Sequence, residues 1–356
     1  MKARTKKTFF KITVAVIAVL MIATFFLGTA IHTKVQAAQR PRTLGAEYSS
    51  ARGMATIEMT TGRLLYAKNA YSTMPMASTT KIVTAITVLE HVKDIDEVVT
   101  VNPKAIGVEG TSIYLQRGEQ LTVRELLYGL MLRSGNDASV ALALHISESV
   151  EEFSQLMNQL ATKAGAQSSS FKNPHGLDEE GHVTTAYDLA LITAYAMKNQ
   201  IFAEIVATKE KRISGVEYPR VMQNKNRLLR SNSDVIGVKT GFTSKAGRCF
   251  VGALEDNGMT VICVVLNCGP MFPESEHLME RATEEYYMHK VLPKETVIRP
   301  TIESTKSLVG MVTQDWSFPI KPSEIDKIEI KINPKDICVF FDGKFVHAQP
   351  YTLVNG

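Results

Sequence analysis

The sequence has little tryptophan and cysteine, and beyond its first 37 residues it has no excess of positive charge. It contains one tryptophan and four cysteines among 356 residues. The cysteines lie in or beside apolar runs, not at the spacings of a zinc site or a disulfide framework, so we expect buried thiols and no metal site. A bridge between Cys249 and Cys268 across a hairpin is the alternative.

The formal net charge of +4 comes from the N-terminus. Residues 1–37 carry no acidic residue and six basic ones, Lys2, Arg4, Lys6, Lys7, Lys11 and Lys34. Without these six, 34 basic side chains stand against 36 acidic ones, a net charge of −2. Binding of nucleic acid needs a clustered basic surface, so this balance argues against a nucleic-acid partner.

The basic leader precedes an uncharged apolar run over residues 12–31. This pattern is typical of a secretion signal, and Val35 and Ala37, at the positions that a signal peptidase reads, favour cleavage before Ala38. The run is also long enough to span a bilayer, so an uncleaved membrane anchor over 1–37 is the alternative. Residues 350–356 lack the apolar face of an amphipathic anchor helix, so any membrane attachment must rest on the N-terminal run. Both alternatives predict an exported protein acting in the cell wall or at the outer face of the membrane.

Hydrophobic periodicity predicts strands on either side of a helical middle. The predicted strands are 51–58, 63–68, 234–242, 248–254 and 260–267, and the predicted helices are 78–89, 122–132, 137–147, 151–163, 186–198 and 274–288. This order predicts one α+β domain over 38–292, whose sheet unites early and late segments. Short β-like pieces after that predict a small all-β domain over 293–356, with Trp316 in its core and not on a sugar-binding surface.

Ser78 and Lys81 are the first chemical candidates. Ser78 opens a predicted helix, and a side chain three residues further along a helix lies on the same face. Lys81 can therefore reach the Ser78 hydroxyl and take its proton, provided that the amine is neutral. Burial and a nearby positive charge, which Lys239 would supply, both lower the pKa of a lysine.

A serine three residues before a lysine also occurs at Ser169 and Lys172. That pair lies in a loop rich in Ser, Asn, Pro and Gly, with no helical pattern after it. Taken alone, Ser78 is more simply interpreted as a helix cap and Lys81 as a solvated surface lysine. Only the context of Ser78 suits nucleophilic chemistry.

Two further short motifs carry polar groups suited to proton transfer and to ligand binding. Ser134 and Asn136 lie in a turn between two predicted helices, where a hydroxyl can relay a proton and an amide can hold an acyl chain. Lys239, Thr240 and Gly241 lie on a predicted strand, where the first two can bind a carboxylate and glycine lets a ligand backbone lie close. The plainer alternatives are an inter-helix turn and a surface strand.

The three motifs together are more specific than each alone, with 56 residues from Ser78 to Ser134 and 103 from Asn136 to Lys239. In this combination the sequence resembles the penicillin-recognising serine enzymes. Within them it resembles the low-molecular-mass penicillin-binding proteins that act as D-alanyl-D-alanine carboxypeptidases. The segments similar to that family are 61–66, 76–81, 173–177, 226–229 and 239–243, within roughly residues 46–290.

The resemblance implies a fold and a reaction. The fold is a β-lactamase-like catalytic domain, made of a helical cluster and an antiparallel sheet, followed by a small all-β domain. The substrate is a peptidoglycan stem peptide ending in D-Ala-D-Ala. Ser78 would attack the carbonyl between the two alanines, Lys81 would take its proton, and Ser134 with Lys81 would pass a proton to the departing D-alanine.

The resemblance also implies the binding residues. Asn136 would position the acyl chain, and Lys239 and Thr240 would hold the terminal carboxylate beside Gly241. The backbone amides of Ser78 and Phe242 would form the oxyanion hole. No cofactor and no metal is implied, and β-lactam antibiotics would act as inhibitors.

Three alternatives share some of these features. A serine β-lactamase has the same motifs, but Gly135 stands where the class A enzymes have Asp, and no Glu-x-x-Leu-Asn motif follows. A D,D-endopeptidase or transpeptidase shares the serine chemistry. A wall-binding or antibiotic-sensing protein without catalysis would predict a damaged motif, and none is damaged. His175 lacks the aspartate motif of a serine–histidine enzyme and is interpreted as loop structure.

Overall fold

The computed structural model describes residues 49–214, 219–298 and 308–355. The predicted signal or anchor over 1–37 lies outside the described residues. Across the described ranges, no helix combines the length and apolarity that crossing a bilayer requires.

The first region, residues 49–285, contains a sheet and a cluster of helices. Its strands are β1 (Gly53–Glu58), β2 (Leu64–Lys68), β3 (Val98–Thr100), β4 (Gln120–Thr122), β5 (Glu210–Ile213), β6 (Arg220–Gln223), β7 (Val235–Thr243), β8 (Gly247–Asp256) and β9 (Met259–Leu266). Its helices are α1 (Lys81–His91), α2 (Val123–Tyr128), α3 (Asn136–Ile146), α4 (Val150–Lys163), α5 (Ala186–Met197), α6 (Gln200–Ala207), α7 (Leu228–Ser231) and α8 (Met271–Glu285). Shorter turns are the 3-10 helices Ala77–Thr80 and Pro103–Ala105 and the π-helical turn Gly129–Arg133.

The main sheet is antiparallel, with strand order β2-β1-β9-β8-β7. It unites early and late parts of the chain, as the sequence pattern predicts. The β8–β9 hairpin turns at Asn257 and Gly258, whose φ angles of 52° and 71° are the left-handed values that favour this residue pair. Strand β7 lies at one edge of the sheet, so one side of its backbone is available to a ligand.

The two faces of the sheet are covered by different helices because side chains alternate along each strand. Helix α5 packs against β1 and β9, and α8 packs against β8 and β9. Residues such as Val251, Ile262 and Val264 join the large apolar cluster shared with α1 to α6. The helical cluster therefore has one continuous core with one face of the sheet, and α1 runs through it.

The second region is all-β, which confirms the predicted fold class. Its strands are β10 (Tyr287–Leu292), β11 (Val297–Ile298), β12 (Leu308–Val312), β13 (Trp316–Ile320), β14 (Ile328–Ile332), β15 (Asp336–Phe341) and β16 (Lys344–Asn355), with a 3-10 helix at Pro322–Lys327. One sheet has the order β11-β12-β16-β15-β14, and β10 pairs with β13. They enclose a small separate core that includes Phe318, Ile320, Ile337 and Val339.

Several local predictions are confirmed. Thr122 and Glu125 form the predicted capping box. Trp316 packs against the small core and stacks on His347, with ring centroids 4.3 Å apart. All four cysteines are free thiols, so the alternative of a Cys249–Cys268 bridge is not formed.

Two local predictions are wrong. The helix predicted over 274–288 ends at Glu285, because the residues from Tyr287 onward pair with β13, which a local helical pattern cannot reveal. Asp137 is not the cap of α3, whose capping position is Gly135. The Asp137 carboxylate instead accepts hydrogen bonds from the amides of Ile113 and Leu115.

The domain boundary near 293 stays a prediction, and β10 before it already belongs to the all-β pairing.

Candidate active site

Ser78 lies in the 3-10 turn Ala77–Thr80, which leads directly into α1. The hydroxyls of Thr79 and Thr80 donate back to the carbonyls of Met76 and Ala77 at 2.7 and 2.8 Å, which fixes the turn. Ala77 has a φ of 50°, an uncommon left-handed value for a residue with a Cβ. The backbone that presents Ser78 is therefore held by its neighbours in a conformation it would rarely adopt alone.

Gly176 explains how that turn is packed from the other side. A Cβ on Gly176 would lie 2.0 Å from the Ala77 carbonyl oxygen, and the Gly176 φ is +89°. Only glycine permits this approach. The loop around 173–177 is thereby pressed against the turn that carries the serine.

Lys81 is fully buried, and its ammonium nitrogen contacts three oxygens. It donates to Ser78 Oγ at 3.1 Å, to Asn136 Oδ1 at 2.7 Å and to the His175 carbonyl at 2.6 Å. None of the three is a carboxylate. Burial, followed by repulsion from Lys239, holds the pKa of Lys81 well below its usual range. The amine is thus disposed to be neutral beside the serine hydroxyl.

The turn at 134–136 brings the second motif to the same place. Ser134 is buried with a φ of 67°, and it separates the π-helical turn from α3. Asn136 is anchored at both ends of its amide, because Nδ2 donates to the Glu109 carbonyl at 2.6 Å while Oδ1 accepts from Lys81. Within the described residues the Ser134 hydroxyl makes no hydrogen bond with Lys81 or Ser78. The structure therefore joins Ser78, Lys81 and Asn136 directly and sets Ser134 beside them.

The third motif lies on the edge strand β7. An added Cβ on Gly241 would lie 3.0 Å from the Ser78 amide nitrogen, so the strand runs directly against the 3-10 turn. Lys239 is buried and donates to the Thr240 carbonyl at 3.0 Å, and burial with repulsion from Lys225 lowers its pKa to about 7. Thr240 is half-buried, and the Phe242 side chain is 66% exposed.

Lys225 is a residue that the sequence analysis missed. Its charge contributes to lowering the pKa of both Lys81 and Lys239, and its amine lies 3.4 Å from the Thr111 hydroxyl. Its backbone amide donates to the Leu132 carbonyl, which holds it beside the 134–136 turn. The only available signal was its position immediately before the family-like segment 226–229.

His175 acts through its backbone. Its carbonyl accepts from Lys81, and its ring Nδ1 accepts from the Leu177 amide at 3.2 Å. Burial and repulsion from Lys81 lower the pKa of the ring to about 3. A ring so weakly basic does not serve as the proton acceptor for Ser78. No group of His, Cys, Asp and Glu suited to hold a metal occurs in the described residues.

Comparisons with known proteins identify the family. A family model described as D-alanyl-D-alanine carboxypeptidase, Peptidase S11, matches residues 35–269. The D-alanyl-D-alanine carboxypeptidase DacF of Bacillus subtilis is 33% identical over 80% of this chain and 77% of its own length. DacC of Escherichia coli is 35% identical over 67% of this chain and 62% of its own length.

Solved structures show the same likeness. Penicillin-binding protein 5 from Haemophilus influenzae has a TM-score of 0.74 at 25% identity, over 86% of this chain and 97% of that one. The DD-transpeptidase of Streptomyces K15 has a TM-score of 0.61 at 33% identity, over 65% of this chain and 96% of that one. DacD from Francisella tularensis, at 22% identity and a TM-score of 0.72, supports the fold over 89% of this chain and 95% of its own.

Proposed function

This chain belongs to the D-alanyl-D-alanine carboxypeptidase family of serine peptidases, and we propose that it removes the terminal D-alanine from peptidoglycan stem peptides through an acyl-enzyme on Ser78. One observation carries the assignment of the nucleophile. The buried Lys81 nitrogen lies 3.1 Å from Ser78 Oγ and has no carboxylate partner among the described residues. A buried, unpaired lysine beside a hydroxyl is a base, because desolvation favours its neutral form.

Acylation follows from that arrangement. Neutral Lys81 takes the Ser78 proton as Oγ attacks the carbonyl between the two D-alanines. The oxyanion then forms beside the amides of Ser78 and Phe242, and each such donor is typically worth about 3 kcal/mol in the transition state. The contact of Gly241 with the Ser78 amide supports this pair, since it brings the two backbone segments together.

The leaving group and the acyl chain are assigned to different residues. We assign the terminal carboxylate to Lys239 and Thr240, because a charge-assisted hydrogen bond to a buried ammonium is strong. Asn136 positions the acyl-chain amide. Ser134 and Lys81 then pass a proton to the departing D-alanine, and water releases the shortened peptide. A β-lactam offers the same carbonyl and carboxylate and acylates Ser78 in the same way.

We also propose that the enzyme acts outside the cytoplasm, in the wall or at the outer face of the membrane. The support is the basic leader and the apolar run over 12–31, together with a substrate that is a component of the wall. Membrane attachment through that run, if it is retained, is part of this proposal.

The test is intact-mass analysis of the full-length chain after brief exposure to penicillin, followed by assay of D-alanine release from a D-Ala-D-Ala peptide. We expect a persistent adduct on the wild type and none on Ser78→Ala, with D-alanine release by the wild type. Rapid loss of penicillin without an adduct would indicate a β-lactamase. Cleavage of cross-linked dimers in preference to free peptides would indicate an endopeptidase. Neither adduct nor turnover would overturn the serine-enzyme proposal.

A further inference from the structure

A cavity of about 350 Å³ lies beside the 134–136 turn and has no part in the proposed reaction. Its walls include Tyr114, Arg133, Arg220 and Met222. Arg133 is the residue immediately before Ser134, and β6 packs against the π-helical turn that ends at Arg133. The cavity is therefore built from the elements that carry Ser134 and Asn136.

The segment 111–115, which contains Tyr114, is hydrogen-bonded directly to the 134–136 turn and the residue after it. The Thr111 carbonyl accepts from the Asn136 amide at 2.7 Å, and Ser112 Oγ donates to the Asp137 carboxylate at 2.6 Å. A change of the 134–136 turn and a change of this cavity wall are thus coupled. A ligand in the cavity would contact a surface that is fixed relative to the nucleophile.

Tyr114 is held outward in an unusual conformation. Its φ is 61° and its side chain is 76% exposed. The Asp137 carboxylate accepts the amides on both sides of it, and the Tyr114 carbonyl accepts from Arg220 at 3.0 Å. A bulky residue in the left-handed region costs free energy, and such strain is concentrated where a side chain is needed by a ligand.

The two arginines of the cavity differ in their partners. Arg220 forms a two-pronged ion pair with Glu119, with distances of 2.6 and 2.8 Å, and is therefore neutralised. Arg133 is half-buried and makes no ion pair or side-chain hydrogen bond with any of the described residues. Its charge also reaches Lys225, whose pKa it contributes to lowering. The cavity thus has an uncompensated positive charge that an anion would satisfy.

We propose that this cavity is an acyl-side subsite in which Arg133 binds a carboxylate of the stem peptide upstream of the scissile bond, with Tyr114 as its outer wall. The inference rests on the proposed function, which assigns Asn136 to the acyl chain and Lys239 to the terminal carboxylate. In this proposal the acyl chain extends from Asn136 along the 134–136 turn, which Arg133 immediately precedes. The subsite selects an acidic peptide over a neutral one of equal length.

The test compares two peptides on the full-length enzyme. One is N-acetyl-L-alanyl-γ-D-glutamyl-L-lysyl-D-alanyl-D-alanine, and the other has the glutamyl α-carboxylate converted to an amide. For Arg133→Gln we expect the ratio of kcat/KM between the acidic and the amidated peptide to fall about tenfold, mainly through KM, because one charge-assisted hydrogen bond is lost. Arg133→Lys should restore much of the ratio. Arg212→Gln on β5 removes the same charge outside the cavity and should leave the ratio unchanged.

The outcomes separate the two proposals. If Arg133→Gln leaves the kcat/KM ratio of the two peptides unchanged, or lowers kcat/KM equally for both, the subsite is overturned. The proposed function would still stand in that case, provided that the enzyme is acylated by penicillin and releases D-alanine. A wild-type enzyme that neither forms the adduct nor releases D-alanine would overturn the proposed function itself. Suppression of the wild-type preference for the acidic peptide by salt would support the subsite, because added ions screen the attraction.

Discussion

Two regions of this protein bury positive charge, and they do so in opposite ways. In the proposed active-site cleft, Lys81 and Lys239 are fully buried, and within the described residues they hydrogen-bond only to neutral oxygens. Where the first region meets the all-β region, the Arg63 side chain is 11% exposed and forms an ion pair with Glu324 at 2.9 Å. Burial without a carboxylate disfavours the charged form of the two lysines, whereas the ion pair with Glu324 stabilises the charged form of Arg63.

The surroundings of Arg63 are those of a structural cation. Its guanidinium also donates to the Pro319 carbonyl and lies over the rings of Tyr286, Phe318 and Phe341, with centroids 4.2 to 5.3 Å away. Arginine is effectively always charged, and its planar group both pairs with carboxylates and stacks on rings. Burial lowers the pKa of a lysine, so the two lysines without a carboxylate can titrate in a functional pH range, whereas the paired arginine stays charged and joins the two regions.

The largest expected effect is the loss of penicillin acylation when the proposed nucleophile is removed. Ser78→Ala should lower the rate of penicillin acylation by at least about a thousandfold, since no other hydroxyl takes the place of a lost nucleophile. The measurement is the rate of adduct formation by mass spectrometry. Ser169→Ala, at the second serine that precedes a lysine by three residues, is the matched control and should acylate normally. Acylation of Ser78→Ala would show that Lys81 activates a nucleophile other than Ser78.

Gly176→Ala tests how rigidly the cleft is held. The new Cβ would meet the Ala77 carbonyl at 2.0 Å, so we expect a loss of about 3 kcal/mol or more in the free energy of unfolding, or a comparable loss of acylation if the loop shifts. Gly107 also has a positive φ, of +72°, but an added Cβ there meets nothing within 4 Å. Gly107→Ala should therefore cost only about 1 kcal/mol, from backbone strain alone. Equal costs in denaturant titrations, together with unchanged acylation of Gly176→Ala, would contradict the packing argument.

Arg63→Ala tests the other region. Removing one partner of a largely buried pair leaves Glu324 unpaired, so we expect a loss of about 3 kcal/mol in the free energy of unfolding. The kcat/KM for a short D-Ala-D-Ala peptide should stay within about twofold, because no cleft residue contacts Arg63. Lys327→Ala, which removes an exposed pair with Asp342 at 4.0 Å, is the control and should change stability by less than about 0.5 kcal/mol. A large loss of catalysis in Arg63→Ala would break the distinction between the two regions.

The smallest expected effect is a shift of the pH profile. In the proposed mechanism Lys81 acts when neutral and Lys239 binds a carboxylate when charged. On that basis kcat/KM should rise through the lowered pKa of Lys81 and fall through that of Lys239, about 7 in the free enzyme. Lys225→Gln removes a positive charge that lowers both pKa values, so both limbs should move to higher pH. Added salt should reduce the difference between wild type and variant because Lys225 is exposed. If the pH profile of Lys225→Gln matches that of the wild type at low salt, the Lys225 charge does not affect the pKa values of Lys81 and Lys239.

Much of the fold could be predicted from the sequence because its signals are local. The capping box at Thr122, the Asn257-Gly258 hairpin and the period of the apolar residues after Ser78 each depend on neighbours in sequence. The end of α8 and the role of Asp137 could not be predicted. Both depend on partners distant in sequence, β13 in one case and the amides around Tyr114 in the other.

The sequence by itself determined the candidate residues Ser78, Lys81, Asn136 and Lys239, because the three motifs in this order resemble those of the penicillin-recognising serine enzymes. Only the tertiary structure decided that Lys81 and Lys239 are buried without a carboxylate, that Lys225 adds its charge, and that Arg133 lacks a partner among the described residues. The physical reason is that a pKa and a free charge depend on the solvent and charges around a group. Those surroundings come from segments more than 50 residues apart, such as Lys81 and Asn136, and exist only once the chain has folded.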